Sequence, residues 1–168
     1  MRISRLLREE LIEPNLTATE KEPVLQQLVA MVMPCLKNEC ATEAEHVLEA
    51  LRQRESITST GIGTGIAIPH AKVAGLKKMM VGFARSRAGV NFQALDDAPV
   101  NLFFLVVAPP GAVADYLKIL AAISAFLRNE TNRNALMSAE TRAEILAAIK
   151  AGEIGGDVAS PEPRILLA

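Results

Sequence analysis

The sequence predicts an α/β fold in which helices cover a central β-sheet, and three observations lead to that prediction. Segments with helical periodicity alternate along the chain with shorter apolar runs typical of strands. One run, Val100 to Ala108, is apolar along nearly its whole length and rich in β-branched and aromatic residues, as in a strand buried on both faces. The 168 residues, of which 50% are hydrophobic, suffice for one domain with a full core.

Two helices are predicted at the N-terminal end of the chain. The first is short and amphipathic and ends at Pro14, because proline interrupts a helix. Its apolar positions are Ile3, Leu6, Leu7 and Leu11. The second opens with a capping box of Thr19 and Glu22, has Pro23 in its first turn, and is closed by Pro34. Its apolar stripe consists of Val24, Leu25, Leu28, Val29 and Val32.

A third helix precedes the first predicted strands. Thr42 and Glu45 form a second capping box, and the helix runs toward Arg52 and Arg54. Its apolar positions are Val47, Leu48 and Leu51. The predicted strands that follow are Ile66–Ile68, Met79–Ala84 and the short Val90–Phe92, with a turn at Asp96-Asp97.

The C-terminal part is predicted to be helical after the long strand. Pro109-Pro110-Gly111 stops that strand, and a helix begins near residues 112–115. Shorter helices follow at Asn134–Met137 and Arg142–Ile149. We therefore divide the chain into one domain, residues 1–150, and a loosely held tail, residues 151–168. In that tail Ile165-Leu166-Leu167 is the segment able to dock on the body or on a partner.

Composition argues against several classes of function. The net charge is −1 with no basic field for nucleic acid, and a chain with no tryptophan and one tyrosine offers few rings to stack bases. The charged N-terminus lacks the apolar core of a signal peptide, and Leu102 to Ala108 is far shorter than the ~20 residues that span a bilayer. Cys35 and Cys40 are typical of ordinary thiols, and no Cys or His cluster forms a metal site. We expect a cytoplasmic protein without membrane insertion.

The most informative segment runs from Ser59 to His70 and contains three alternating glycines. Their spacing is not that of a dinucleotide fingerprint, and no Lys-Ser or Lys-Thr follows as in a P-loop. Glycines let the backbone approach a ligand, and successive N–H groups can form an anion-binding concavity. A plain flexible turn explains the same pattern equally well. The candidate phosphate-binding or partner-binding residues are Thr60, Gly61, Gly63, Thr64 and Gly65.

His70 ends this segment, and the only other histidine is His46. A neutral imidazole accepts a phosphoryl group well near neutral pH, because its unperturbed pKa is about 6.5. By residue type alone, a structural histidine at the end of a strand is the more common case. His46 falls inside a predicted helix and is interpreted as an ordinary surface or half-buried residue.

From Gly61 to His70 the sequence resembles the active-site motif of the fructose/mannitol-type enzyme IIA domains of the bacterial phosphoenolpyruvate-dependent phosphotransferase system. The resemblance covers roughly residues 1–150 and is closest, in length and layout, to the stand-alone nitrogen-regulatory branch. It implies a mixed central β-sheet flanked by helices, the mannitol-type enzyme IIA fold, which agrees with the α/β fold predicted from the residues. Further matching blocks are Arg54–Gly61, Val90–Asp97, Val100–Gly111 and Tyr116–Leu120.

The resemblance also implies roles for individual residues. His70 takes the place of the phosphoryl acceptor, and Arg54 that of the arginine whose guanidinium neutralises phosphoryl oxygens. Without the resemblance, Arg52 and Arg54 are not distinguished, and a solvated arginine at a helix C-terminus is the alternative for Arg54. Tyr116 stands where the family has a second active-site histidine. A phenol donates a hydrogen bond but carries no positive charge at pH 7, so we expect phosphorylation to survive with an altered rate or phosphohistidine lifetime.

These roles predict a phosphoryl carrier that acts as a nitrogen-type regulator, rather than an enzyme that converts a metabolite. A phosphorylated histidine-containing carrier protein is the expected donor, and the chemistry needs no metal, nucleotide or other cofactor. The expected targets are a transporter, a sensor kinase or a IIB domain. Two alternatives stay open: a sugar-specific IIA component that passes phosphate to a IIB domain, and a binding module that has lost phosphotransfer.

Overall fold

The computed structural model describes residues 1–36 and 43–156, with the backbone alone for residues 154–156. Two short 3₁₀ helices, Ile3–Arg5 and Glu9–Leu11, precede the first strand. The strands in the described residues are β1 (Ile12–Glu13), β2 (Gly61–Gly63), β3 (Ile66–Ala67), β4 (His70–Lys72), β5 (Met80–Val90) and β6 (Val100–Ala108). The helices there are α1 (Lys21–Leu36), α2 (Ala44–Ile57), α3 (Val113–Arg128), α4 (Glu130–Ser138) and α5 (Arg142–Gly156).

The strands form one mixed sheet, and the predicted fold class is confirmed. The order is β1-β5-β6-β3-β2, and β4 lies beside β6 beyond the end of β3. The pair β5–β6 is antiparallel, whereas β3 and β4 run parallel to β6. Strand β6 matches the predicted Val100–Ala108 and is buried along its length except at half-buried Asn101. Helices α1 and α2 pack on β5 and β4, and α3 and α4 pack on β6.

The N-terminal prediction of an α-helix is wrong. Ile3, Leu7 and Leu11 are buried as their spacing suggests, but Ile3 and Leu11 lie in two 3₁₀ turns, Leu7 lies between them, and the chain then enters β1. β1 runs parallel to β5 at the edge of the sheet. A spacing of four residues is compatible with an α-helix and equally with short turns separated by extended residues, so periodicity did not distinguish them.

Two element boundaries also differ from the prediction. Pro34 lies inside α1 rather than closing it, and the buried Leu36 holds the last residues of that helix against the core. A proline this close to the C-terminal end removes one N–H···O bond and leaves most of the helix intact. Strand β5 continues to Val90, where a separate strand was predicted. Helix α2 begins at Ala44, and its expected cap Thr42 lies outside the described residues, as does Cys40.

Helix α5 crosses the domain boundary expected at residue 150. Gly152 lies directly against the Phe126 ring and the Asn132 side chain, and there is no room for a Cβ atom at this position. The boundary itself stays a prediction, and Ile165-Leu166-Leu167 lies outside the described residues. Within the described ranges, no helix has the length and apolar character needed to cross a membrane.

A buried arginine ties the sheet to α4. Arg85 on β5 is fully buried, and its guanidinium donates to the carbonyl oxygens of Pro14 (3.1 Å), Leu136 (2.8 Å) and Ala139. The last two carbonyls belong to the C-terminal end of α4, where a cation is favoured. Burial, and then the charge of nearby Arg87, lower the pKa of Arg85.

Candidate functional site

His70 is the first residue of β4, a short strand that pairs with β6, the central strand of the sheet. It is paired with Val106 of β6, and the carbonyl of Pro69 accepts a hydrogen bond from the Val106 N–H at 3.0 Å. The side chain is 5% exposed. A histidine held in this way has a fixed backbone and presents only a small part of its ring to solvent.

The His70 ring has one nitrogen committed to the backbone. Nδ1 lies 2.6 Å from the carbonyl oxygen of Ile68. Because a carbonyl only accepts, Nδ1 carries the proton, and Nε2 is left with its lone pair. Burial lowers the pKa of His70 to about 4, with a smaller contribution from the charge of Arg54, while the bond to Ile68 acts in the opposite direction. The imidazole is therefore neutral at pH 7, with Nε2 as its nucleophilic atom.

Arg54 lies in the last turn of α2, and its positive charge acts on this ring. Its charge lowers the pKa of both His70 and Tyr116. Nη1 also donates to the carbonyl of Thr58 at 2.8 Å, so the helix-terminal role expected as the alternative is present as well. That bond uses one of the five N–H donors of the guanidinium.

Arg52, which the sequence did not distinguish from Arg54, has a different environment. Its guanidinium lies among three carboxylates: Glu22 (Nε to Oε1 2.7 Å), Glu45 (3.2 Å) and Glu49 (3.4 Å). These contacts commit Arg52 to the packing of α2 against the start of α1. The structure thus separates the two arginines, and Arg54 is the one associated with His70.

Tyr116, in the first turn of α3, completes the cluster. Its ring centroid lies 5.8 Å from that of His70, with the two planes tilted by 53°. Burial raises the pKa of Tyr116 to about 12, and the charge of Arg54 opposes this shift. Its hydroxyl is therefore protonated at pH 7. The side chain that stands in place of a second histidine lies next to His70, as the resemblance implied.

Glu55 is a component of the site that the sequence analysis missed. Its carboxylate is buried and accepts from both the backbone N–H (3.2 Å) and the hydroxyl of Thr60. Lys21 of α1 pairs with the same carboxylate at 3.0 Å. These contacts fix the segment between α2 and β2, which follows Arg54 directly. A glutamate beside an arginine gives no sequence signal of such a role, because both occur commonly on solvated helix faces.

Thr60 is therefore corrected as a phosphate-binding candidate. It is fully buried, and its hydroxyl donates to Glu55. Its carbonyl accepts the N–H of Ile68 at 3.0 Å, and this bond holds the segment before His70. Thr60 therefore holds the backbone that leads to His70, and its N–H and hydroxyl are both used by Glu55 rather than by a ligand.

The alternating glycines form a β-hairpin rather than a cradle around His70. Thr64 (φ 55°) and Gly65 (φ 79°) make the two-residue connection between β2 and β3, with the positive φ values of a type I′ turn. Gly65 accepts bonds from Asn101 and Leu102, near the start of β6, whereas His70 is paired with Val106. Gly65 and His70 are five positions apart on an extended segment, about 16 Å. The geometry corrects the expected phosphate cradle at Gly63, Thr64 and Gly65, and their contact with a partner stays a prediction.

Gly61 has a packing role. A Cβ atom there would lie 2.7 Å from the Cβ of Ala94 and 3.0 Å from its Cα, so glycine allows the loop that contains Ala94 to approach β2 closely. The Gly61 carbonyl accepts the N–H of Leu95 at 2.9 Å. His46, the other histidine, lies exposed on α2, as expected for an ordinary surface residue.

The resulting cluster suits transfer of an anionic group to a nitrogen nucleophile. It combines one neutral imidazole with a free lone pair, one guanidinium and one protonated phenol. Among the residues that the structure describes, no group of three or more His, Cys, Asp or Glu side chains is arranged to hold a metal ion.

Comparison with known proteins identifies the family. Residues 5–152 match the family model "Phosphoenolpyruvate-dependent sugar phosphotransferase system, EIIA 2". The chain is 41% identical over 131 residues to a nitrogen regulatory protein of Bradyrhizobium diazoefficiens, covering 77% of this chain and 82% of that one. It is 36% identical over 140 residues to a fructose-specific EIIA component of Haloferax volcanii, covering 83% and 89%. It is 37% identical over 146 residues to the fructose-specific EIIABC component of Bacillus subtilis, covering 87% of this chain and 22% of that longer protein.

Solved structures agree with this result. The nitrogen regulatory protein IIA-Ntr of Neisseria meningitidis has a TM-score of 0.81 and 28% identity, covering 88% of this chain and 98% of its own. The IIA subunit in the complex of enzyme IIA mannitol and phosphorylated enzyme IIB mannitol of Escherichia coli has a TM-score of 0.72. Its identity is 22%, with 86% of this chain and 97% of that one covered, so it supports the fold alone.

Proposed function

This chain belongs to the EIIA 2 family of the phosphoenolpyruvate-dependent sugar phosphotransferase system and is an EIIA-type phosphoryl carrier, and we propose that it carries the phosphoryl group on Nε2 of His70 and acts as a nitrogen-type regulator. The observation that supports this site is the His70 ring itself, which is neutral, held through Nδ1 by Ile68, and open for reaction at Nε2. The enzymatic step is phosphotransfer between proteins rather than conversion of a metabolite.

The transfer proceeds between two histidines. The Nε2 lone pair of His70 attacks the phosphorus of a phosphohistidine on the donor, in line with the bond to the donor nitrogen. The new N–P bond forms as the old one breaks, and the donor imidazole leaves with the electron pair of that bond. His70 then carries a phosphoryl group on Nε2 and its proton on Nδ1, where the carbonyl of Ile68 stabilises the positive charge that the ring acquires. Catalysis relies on positioning and electrostatics, as is general for phosphoryl transfer.

Arg54 and Tyr116 stabilise the transferred group in this proposal. The guanidinium of Arg54 is close enough to shift the pKa of both rings, and four of its N–H donors remain beside the bond to Thr58. The Tyr116 hydroxyl, protonated at pH 7, donates a hydrogen bond to a phosphoryl oxygen. Neither residue needs a metal ion or another cofactor for this role.

The surface around the site offers a docking area for the donor and the target. Val113 and Leu117 are one helical turn apart on α3, on either side of Tyr116, and are 46% and 41% exposed. Ile57, at the end of α2, is 78% exposed. Exposed apolar side chains beside a buried reactive ring favour a protein partner over a small molecule. The donor we propose is a phosphorylated histidine-containing carrier protein, and the compartment is the cytoplasm.

Regulation is favoured over sugar transport by the similarity to the two nitrogen regulatory proteins. The targets we propose are a transporter or a sensor kinase that is bound in one phosphorylation state. The fructose-specific relatives support the second candidate, a sugar-specific IIA component whose phosphoryl group passes to a IIB domain. Both candidates use the same phosphohistidine and differ in the fate of its phosphoryl group.

The first experiment is incubation with phosphoenolpyruvate, enzyme I and the phosphocarrier, followed by intact mass measurement. We expect one acid-labile phosphoryl group on the protein and on the variant His46→Gln, and none on His70→Ala. His46→Gln is the matched control because it removes the other histidine from an exposed position. A folded protein that gains no phosphoryl group from an active carrier would refute the relay and leave a binding module that has lost phosphotransfer.

A chase experiment separates the regulator from the sugar-specific component. The phosphorylated protein is mixed with purified IIB domains of the fructose and mannitol systems, and loss of its phosphoryl group is followed over time. Retention of the group, together with partner capture that depends on phosphorylation, supports the regulator. Rapid transfer to one IIB domain supports the sugar-specific alternative.

A further inference from the structure

Lys72 lies on the same face of β4 as His70. The two residues are separated by one position on an extended strand, paired in parallel with Val106 and Ala108 of β6. The N–H of Val73 donates to the carbonyl of Ala108 at 2.8 Å, so the extended geometry continues past Lys72. Side chains two positions apart on a strand point to the same side, about 7 Å from one another. Lys72 is exposed, whereas His70 is buried.

The ring of Tyr116 links these two side chains. The Lys72 ammonium lies 5.8 Å from the centroid of the Tyr116 ring. The centroid of the His70 ring lies 5.8 Å from the same point. A cation at about 6 Å from an aromatic face is weakly attracted, most weakly when it is exposed to water. The contact therefore keeps the ammonium near the site but is weak enough to be exchanged for another partner. The four-carbon stem of lysine lets the ammonium move to a stronger partner.

The phosphorylated site needs more positive charge than Arg54 provides. A phosphoryl group carries about −1.5 to −2 charges at pH 7. Arg54 supplies one positive charge, and Tyr116, whose hydroxyl stays protonated, supplies none. The ring adds a second positive charge only while it keeps its proton on Nδ1, so a further cation beside the phosphoryl oxygens stabilises the group. The side chain in place of the family's second histidine cannot provide that cation.

Two other cations near these elements have carboxylate partners. Lys21 pairs with Glu55 at 3.0 Å, and Arg52 lies among glutamates. Within the described part of the chain, Arg54 and Lys72 both interact with the His70–Tyr116 pair.

We propose that Lys72 is the second cation of the phosphorylated site and that its ammonium moves from the Tyr116 ring onto the phosphoryl oxygens on His70. Tyr116 then has two tasks: its ring positions the ammonium, and its hydroxyl donates to the group. The proposal rests on the proposed function in one respect, that His70 is the residue that carries the phosphoryl group.

The test uses a phosphoryl donor that needs no protein. The full chain with His46→Gln, which leaves His70 as the only histidine, is labelled with potassium phosphoramidate. The pKa of the phosphohistidine, ring and phosphoryl group together, is then measured by ³¹P NMR titration. Three further variants are compared in the same background: Lys72→Gln, Lys72→Arg and the control Lys77→Gln. Lys77 is an exposed lysine that follows the same strand.

We expect Lys72→Gln to raise the pKa of the phosphohistidine by about 0.5 to 1 unit, because an adjacent cation favours its less protonated form. Lys72→Arg should restore the lower value, and Lys77→Gln should leave it unchanged. A role of Lys72 in packing alone would not move this pKa. Equal values in all four proteins would overturn the proposal.

The remaining outcomes separate this proposal from the proposed function. If phosphoramidate labels His70 with the expected Lys72 effect but the phosphocarrier transfers nothing, the relay is overturned and the role of Lys72 stands. If the carrier phosphorylates His70 but Lys72→Gln has no effect, the relay stands and the role of Lys72 is overturned. Failure of both phosphoramidate and the phosphocarrier to label His70 overturns both proposals, because neither donor then reaches Nε2.

Discussion

The lowered pKa of His70 predicts a specific dependence of stability on pH. Burial shifts this pKa from the ordinary 6.5 to about 4 in the folded protein. Between these values the unfolded chain binds a proton at His70 that the folded protein does not, so stability falls as the pH drops from about 6.5 to about 4. The full loss is about 3 kcal/mol, of which about 2.5 kcal/mol is reached at about pH 4.5. Above about pH 7 both states hold a neutral ring and the contribution vanishes.

The assay is urea unfolding of the wild type and of His70→Asn at about pH 7.5 and about pH 4.5. Asparagine keeps an N–H donor for the carbonyl of Ile68 and does not titrate. Other groups affect both proteins equally, so the difference between them isolates His70. We expect the wild type to lose about 2.5 kcal/mol more than the variant over this interval.

Parallel losses in the two proteins would refute the reasoning, since they would mean that His70 titrates normally in the folded state.

The lowered pKa of His70 also has a kinetic consequence. With a pKa near 4 the ring is almost wholly neutral at pH 6, whereas with a pKa of about 6.5 about three quarters of it would be protonated. Phosphorylation of His70 should therefore persist at pH 6 without loss of the nucleophile, measured with a donor whose own activity at that pH is known.

Two other buried groups give further predictions. Glu55→Gln removes the charge that pairs with Lys21 and weakens the hydrogen bonds to Thr60. We therefore expect the free energy of unfolding in urea to fall by about 1 to 3 kcal/mol and His70 to be phosphorylated more slowly. An unchanged rate would show that the segment after Arg54 does not depend on this carboxylate. Arg85→Met leaves buried carbonyl oxygens without a donor and should cost about 3 kcal/mol or more in the same assay. A loss from Arg85→Met of about 0.5 kcal/mol or less, typical of a surface change, would contradict this account of the buried guanidinium.

The parts of the fold that the sequence predicted are those with a strong local pattern. Strand β6 is long, apolar and ended by two prolines and a glycine, and its bounds were predicted correctly. The helical stripe after it corresponds to α3. The two 3₁₀ turns at the N-terminus were missed, because Ile3, Leu7 and Leu11 have a spacing that several local structures share. Strands β2 and β4 are too short for a periodicity to be read.

For the candidate site as well, the sequence predicted what local motifs encode and missed what tertiary contacts create. The motif pointed to His70 and the matching block after β6 pointed to Tyr116, and the structure brings the two rings together. The sequence did not distinguish a hairpin at Gly65 from a phosphate cradle, because both use glycines with positive φ. The two differ in position: the hairpin lies at the start of the segment that leads to His70, and a cradle would lie at its end. The task of Glu55 depends on Lys21, which is 34 positions away along the chain (from 21 to 55), and no local pattern encodes such a contact.

The burial that keeps His70 neutral also means that, in the proposed function, neighbouring side chains have to supply positive charge for the phosphoryl group. His70 is 5% exposed and its ring is neutral at pH 7, but the phosphoryl group of the proposed function brings nearly two negative charges to the edge of an apolar interior. The charge of Arg54 helps to lower the pKa of the unphosphorylated ring, and in the proposed phosphorylated state the same guanidinium pairs with the transferred group. Tyr116 cannot share that task as a protonated imidazole would. On the two proposals above, the stability of the phosphohistidine depends on Arg54 and on the ammonium of Lys72, and it should be more sensitive to salt than a site closed by two buried histidines.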